Sequence, residues 1–247
     1  MKFDTATTHR IFVDPDLRAG AMVNVEREQA NYLFNVLRLQ AGSIVNVFNG
    51  RDGEWHAALE GSFKKAATLK ILHQTRQQTR NPDIYYYFAP LKSARLDYLM
   101  QKGVEMGASH LGPVITRRTQ AARFNMERAR ANIIEAAEQC EILALPTLSE
   151  PVKFERLLAD WQPERVLVFC DEDAPLADPV AALGHIKRGA PCAVIIGPEG
   201  GFDAAERAAL AQVPNVVRLS LGPRILRADT AAVAALTVLQ ITVGDMY

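Results

Sequence analysis

The sequence predicts an α/β protein in two parts. A small β-rich barrel spans residues 1–75, and a larger domain of alternating strands and helices spans residues 76–247. Three observations predict this. Short β-branched and aromatic runs crowd the first part, some of them separated by turn pairs such as Asn49-Gly50 and Asp52-Gly53. The polar stretch QTRQQTRNPD then reads as a linker closing on Asn81-Pro82. Beyond it, near-continuous apolar runs alternate with helical ones, the pattern of a mostly parallel sheet covered on both faces.

In the first part HRIFV, AMVNV, SIVNVFNG, EWHAALEG and ATLKILHQ read as strands. One helical stretch, REQANYLFNVLRL, interrupts them. Tyr32, Val36 and Leu39 fall near helical spacing, with Leu33 and Leu37 beside them. Several short strands and one helix suggest a small barrel. In the second part IYYYFAPL is a buried strand, ARLDYLMQKGVEMGA a helix and LGPVIT a strand. MERARANIIEAAEQC is a helix with Ile133, Ala136, Ala137 and Cys140 on one face. VLVFCDE and AVIIGPEGG are strands, FDAAERAALAQV a helix, VVRLSLG a strand and DTAAVAALTVLQIT a strongly apolar helix.

Composition narrows the function classes. At 49% hydrophobic residues the chain carries enough apolar surface for a proper core, so wholesale disorder is not expected. No apolar run reaches the roughly 18 residues of a membrane-spanning helix. The N-terminal MKFDTATTHRIF lacks the basic-then-apolar order of a leader. Cys140, Cys170 and Cys192 are odd in number, widely spaced and without metal-type neighbours, which fits free thiols in a reducing cytoplasm and no metal site. Net charge is zero, yet TRRTQAARFNMERAR concentrates Arg117, Arg118, Arg123, Arg128 and Arg130. Such a stretch either binds phosphates or is a solvated helix face.

Two late loops carry the chemistry. VIIGPEGGF, residues 194–202, runs from a strand into glycines. A phosphate cradle needs converging backbone N–H groups. Pro198 has none to give, and Glu199 places a carboxylate where a phosphate would sit. Neither the Walker lysine pattern nor the dinucleotide glycine fingerprint is present. A neutral or cationic ligand suits the loop better. Alternatively it is only a tight turn in which Gly200 and Gly201 supply positive φ. LSLGPRILRADTA, residues 219–231, again runs from a strand through Gly-Pro into a helix, with Asp229 as a plausible N-cap. Two such strand ends side by side would share one carboxyl-end crevice. Leu219, Leu221, Ile225 and Leu226 would face a flat ring there.

IGPEGGF followed by LSLGPRILRADTA resembles the SPOUT-type methyltransferases that act on N3 of a uridine in small-subunit (16S) ribosomal RNA. The resemblance extends to HRIFV, VLRLQAGSIVNVFNG, QKGVEMGA and EAAEQC, and so covers most of the chain. It implies an N-terminal PUA-like RNA-binding barrel and a C-terminal α/β domain with a deep trefoil knot, an exception to the rule against knotted chains. It also implies S-adenosylmethionine as cofactor and a homodimer with the active site near its interface. By this resemblance Gly197, Glu199 and Gly200 belong to the first cofactor loop. Leu219, Leu221, Gly222, Ile225 and Leu226 belong to the second, and Phe169 to the adenine wall. The chain departs from the family pattern in two places. Asp229 stands where Glu is commoner, and EQCEILALP puts Ile142 in place of an arginine.

Methylating uridine N3 requires loss of its proton, donors for the charge that spreads to O2 and O4, and an unpaired or flipped base. Arg227, in the second loop, is the candidate for stabilising that charge. Its alternative is to pair with an acid such as Glu199 and brace the fold. Arg10, Arg38, Arg118 and Arg128 are candidates for phosphate contact, or plain surface charge. Glu138 and Gln139 either orient the base edge or satisfy backbone groups. A related methyltransferase acting on a ribose 2′-hydroxyl, or a non-catalytic RNA-binding module, fits the same residues.

Overall fold

The computed structural model describes residues 9–62, 67–120, 123–171, 174–175 and 177–246. Residues 1–8, which carry most of the leader reading, Ala121 and Ala122 of the basic stretch, and Glu172 at the end of VLVFCDE lie outside the described residues. The chain divides into two compact units. One is Met1–Arg80 with Ala137–Ala144, and the other is Asn81–Ala136 with Leu145–Tyr247.

The smaller unit holds β1 (Arg10–Phe12), β2 (Met22–Asn24), α1 (Arg27–Asn31), a π-helical turn (Tyr32–Val36), β3 (Ile44–Phe48), β4 (Glu54–Glu60) and β5 (Thr68–Arg76). Every run expected as a strand is one. The sheet follows the path β1-β3-β4-β5-β2, with β1 parallel to β3 and the other pairs antiparallel. Alternate residues point inward, so Val45, Val47, Ala57, Leu59, Leu69 and Ile71 are buried together. Each fully buried Val, Leu or Ile stabilises by about 1.5–3 kcal/mol relative to exposure.

The helical stretch of this unit differs from expectation. Ala30 and Leu33 are the buried residues, and Leu37 and Leu39 pack on the same core as Leu33. Tyr32 is 41% and Val36 60% exposed. The cause is the winding. The Leu37 N–H donates to the Tyr32 carbonyl at 2.9 Å, an i to i+5 bond. This wider turn breaks the i, i+4 spacing that would have brought Tyr32 and Val36 inward. QTRQQTRNPD also differs from a loose linker. β5 runs on to Arg76. The Gln78 side chain then accepts from Gly53 N–H at 3.0 Å and donates to the Leu143 carbonyl at 3.2 Å.

The larger unit holds β6 (Ile84–Phe88), α2 (Ser93–Glu105), β7 (His110–Ile115), α3 (Met126–Gln139), β8 (Thr147–Leu148), β9 (Val152–Lys153), α4 (Phe154–Ala159), β10 (Val166–Cys170), α5 (Pro179–Leu183), β11 (Cys192–Ile196), α6 (Ala204–Leu210), β12 (Val216–Leu219) and α7 (Ala228–Thr242). The last residues of α3 cluster with the smaller unit. The sheet path is β12-β10-β11-β6-β7-β8, with β9 against β7, and every pair is parallel. All five residues of β11 are buried, which is why AVII reads as a continuous apolar run. Leu167, Phe169, Ala193 and Ile195 pack with Phe154 and Leu157 of α4 and Leu210 of α6. α7 packs against β11, α2 and α5.

Local signals set the helix ends. The Asp203 carboxylate accepts the Glu206 N–H at 2.7 Å, and Glu206 accepts back from Asp203 N–H at 3.0 Å, so a capping box opens α6. α3 stops at Gln139, and Glu141 takes a left-handed φ of 56°. Cys140 therefore leaves the apolar face of the helix and is exposed, contrary to the sequence reading. At α7 the N-cap position falls on Arg227, and Asp229 sits in the first turn rather than at the cap. Among the described residues no helix is long and apolar enough to cross a membrane. None of these residues form a cluster of three or more His, Cys, Asp or Glu able to hold a metal.

Candidate functional site

At the carboxyl ends of β10, β11 and β12 lies a cavity of about 660 Å³. This is within the usual range of small-molecule pockets, about 300–1,000 Å³. The two Gly-Pro loops share this crevice, but their strands are not neighbours. β10 runs between β11 and β12. Its end, Phe169 to Asp171, therefore contributes to the pocket between the loops.

Most residues singled out in the sequence meet here. Phe169, Gly197, Glu199, Leu219, Leu221, Gly222, Ile225, Leu226 and Arg227 line the cavity. Gly200 does not. It faces a separate small hollow shared with Lys92 and Arg118. Phe169 is 1% exposed and packs edge-on against Phe202, with centroids 5.5 Å apart. Gly197 allows the same ring to approach, since a Cβ there would fall 3.0 Å from Phe202. Gly222 takes a φ of 99°, which favours glycine and turns the chain after β12. Leu219 is buried, whereas Ile225 is 90% exposed and adds little to an apolar wall as the loop stands.

The charges are arranged in pairs that the sequence did not reveal. Glu199 forms an ion pair with Arg95 of α2. The carboxylate read as a counter-charge for a cationic ligand is thus already neutralised, and Arg227 is not its partner. Asp171 is buried. It accepts from Arg207 of α6, and from Arg218 Nε at 2.9 Å and Nη2 at 2.6 Å. Arg95, Asp171 and Arg207 all line the cavity and were all missed. For Asp171 a signal existed, an acid ending an apolar strand, but its arginines lie 36 and 47 residues away in sequence. Arg224 and Arg227 are exposed, and among the described residues their side chains make no hydrogen bond or ion pair. Burial pushes the Cys170 thiol up to about 12, so it lines the pocket as a neutral group.

The four cations expected at phosphate have different fates. Arg10 is buried. Its Nε donates to Glu54 at 2.6 Å, its other nitrogens donate to the Ala137 and Ile142 carbonyls, and it stacks 3.6 Å over Phe48. This corrects its place among available surface cations, because burial and these bonds engage all three nitrogens. Arg128 grips Asp97 with two nitrogens. Arg118 donates to the Gly200 carbonyl at 2.6 Å and remains exposed beside the first loop. Arg38 is exposed and adopts a φ of 56°. Glu138 accepts the Phe12 N–H at 2.7 Å, the backbone-satisfying alternative.

Fold and pocket together have the form of an α/β protein with a small-molecule site at the carboxyl ends of parallel strands. The chain belongs to the RNA methyltransferase family: the RNA methyltransferase domain matches residues 79–240, and the RNA methyltransferase PUA domain matches residues 25–72. It is similar to the Ribosomal RNA small subunit methyltransferase E of Synechocystis, 30% identical over 234 residues, covering 92% of this chain and 76% of the relative. A solved Legionella pneumophila protein, described as a methyltransferase with bound cofactor S-adenosylmethionine, is 29% identical. Its TM-score is 0.85 over 98% of this chain and 100% of that one. The Ribosomal RNA small subunit methyltransferase E of Neisseria gonorrhoeae, bound to S-adenosylmethionine, is 25% identical, with a TM-score of 0.86 over 97% of this chain and 100% of that one.

Proposed function

We propose that the protein methylates N3 of a uridine in 16S ribosomal RNA, using S-adenosylmethionine. The observation that carries this reading is the cavity walled by both Gly-Pro loops, in a chain similar over nearly its whole length to relatives solved with S-adenosylmethionine. The pocket's chemistry fits that molecule. Arg95 pairs with Glu199, and Arg207 and Arg218 pair with Asp171, so these cations already have acidic partners. Leu219 and Leu226 offer an apolar wall, and the glycine loops bring backbone groups to the cavity. Bound there, the cofactor supplies an activated methyl group on a sulfonium.

The protein's own residues then have two tasks. Arg227, exposed and unpaired among the described residues, places a guanidinium where charge develops on uridine O2 or O4. The exposed Arg224, Arg118 and Arg38 suit RNA phosphates, which must hold the target nucleotide unpaired or flipped. In this reading residues 1–75 form the RNA-binding PUA-like domain and residues 76–247 the knotted methyltransferase domain. The chain works as a cytoplasmic homodimer on the small ribosomal subunit. The family resemblance over most of the chain supports the domains and the dimer, and the free thiols support the compartment.

The test is methyl transfer to small subunits lacking the mark, with the nucleoside product identified by mass spectrometry. Wild type is expected to yield 3-methyluridine, and Arg227→Ala to lower kcat by about 10²–10³-fold. A 2′-O-methyl product overturns the N3 assignment. Undiminished transfer by Arg227→Ala removes that role from the arginine.

A further inference from the structure

The two pocket loops belong to strands separated by β10. Among the described residues no hydrogen bond joins loop 197–202 to loop 220–227 directly. One side chain reaches both walls. Arg95, on α2, ion-pairs with Glu199 of the first loop. Its Nε also lies 4.0 Å from Asp229 Oδ2, in the first turn of the helix that continues the second loop. Its backbone is held independently, because α2 packs against α7.

We propose that Arg95 is a positioning residue that clasps the two walls of the pocket and thereby sets the affinity for the cofactor. This rests on the reading of the cavity as the S-adenosylmethionine site. The pair is half-exposed, at 40% for Arg95 and 55% for Glu199. Solvent screening keeps the folding contribution of such pairs small. Both ends of the clasp lie in the walls of one cavity, so its effect falls on the spacing of those walls. It therefore shows in ligand binding and not in the unfolding temperature. Arginine suits the role because a planar fork can address two acids at once, which a lysine ammonium does less well.

The experiment is calorimetric titration of the full chain with S-adenosylmethionine, for wild type, Arg95→Ala, Arg95→Lys, Glu199→Gln and the Arg95→Ala/Glu199→Gln double variant, with Tm recorded for each. Arg95→Ala is expected to raise Kd about fivefold with Tm unchanged, the most that an exposed pair of this kind supplies. Arg95→Lys recovers part of the loss. The double variant binds no worse than the weaker single, because both changes remove one interaction. Wild-type affinity in Arg95→Ala, or fold-losses that multiply in the double variant, overturns the clasp alone. A wild-type chain that fails to bind S-adenosylmethionine overturns the cofactor reading and the clasp with it.

Discussion

Arg10 and Arg227 carry the same charge, and the structure separates them by what each guanidinium touches. Arg10 meets Glu54, two carbonyls and the Phe48 ring, while Arg227 stands exposed at the cavity. Sequence cannot make that distinction, because the partner of Arg10 lies 44 residues away, on β4, with β3 between the two strands. Glu54 is itself buried, so Arg10→Ala would strand a carboxylate out of water. The expected cost is about 3 kcal/mol, at the lower end for a broken buried pair, since Arg76 lies 3.8 Å from the same carboxylate. Urea denaturation measures it, and a loss below about 1 kcal/mol would show the pair to be dispensable.

Elements were legible where one local rule decides them. The first unit's strands follow β-branched runs, and Gly50 and Gly53, in the turn between β3 and β4, take φ of 78° and 79°. The π-helical turn was not legible, because hydrophobic spacing assumes a winding and cannot report it. The turn between β3 and β4 does more than reverse the chain. Asp52 accepts the Leu17 N–H at 2.9 Å and the Asn49 amide at 2.7 Å, fixing the segment between β1 and β2 to the hairpin. The Leu17 N–H, chiefly, holds the Asp52 carboxyl below its ordinary value. A carboxyl depressed in the folded state stabilises above its unfolded value, about 3.9, and that stability is lost as pH falls through the lower folded value. Asp52→Asn is therefore expected to cost about 1 kcal/mol at pH 7, and the gap from wild type should narrow below about pH 4. Denaturation midpoints at several pH values test this, and a gap independent of pH contradicts it.

For the whole molecule, α/β alternation announced the parallel sheet, but not its order. Nothing in IGPEGGF or LSLGPRIL tells that VLVFC lies between them, because strand order is set by crossover connections and not by local pattern. The division of the chain was likewise hidden. Ala137–Ala144 falls in the smaller unit, while the residues on both sides of it fall in the larger one. α3 thus contributes its first part to one unit and its end to the other. Calorimetry of the intact protein is expected to give one cooperative endotherm, since loss of the smaller unit frees the end of α3, and two well-separated transitions would disprove that coupling. The interleaving also bears on ancestry. A domain that occupies one continuous stretch can be copied, swapped or fused by a single cut and join. Here the chain passes out of the smaller unit after Arg80, re-enters at Ala137 and leaves again after Ala144. A single cut and join in the gene therefore cannot separate the two compact units intact.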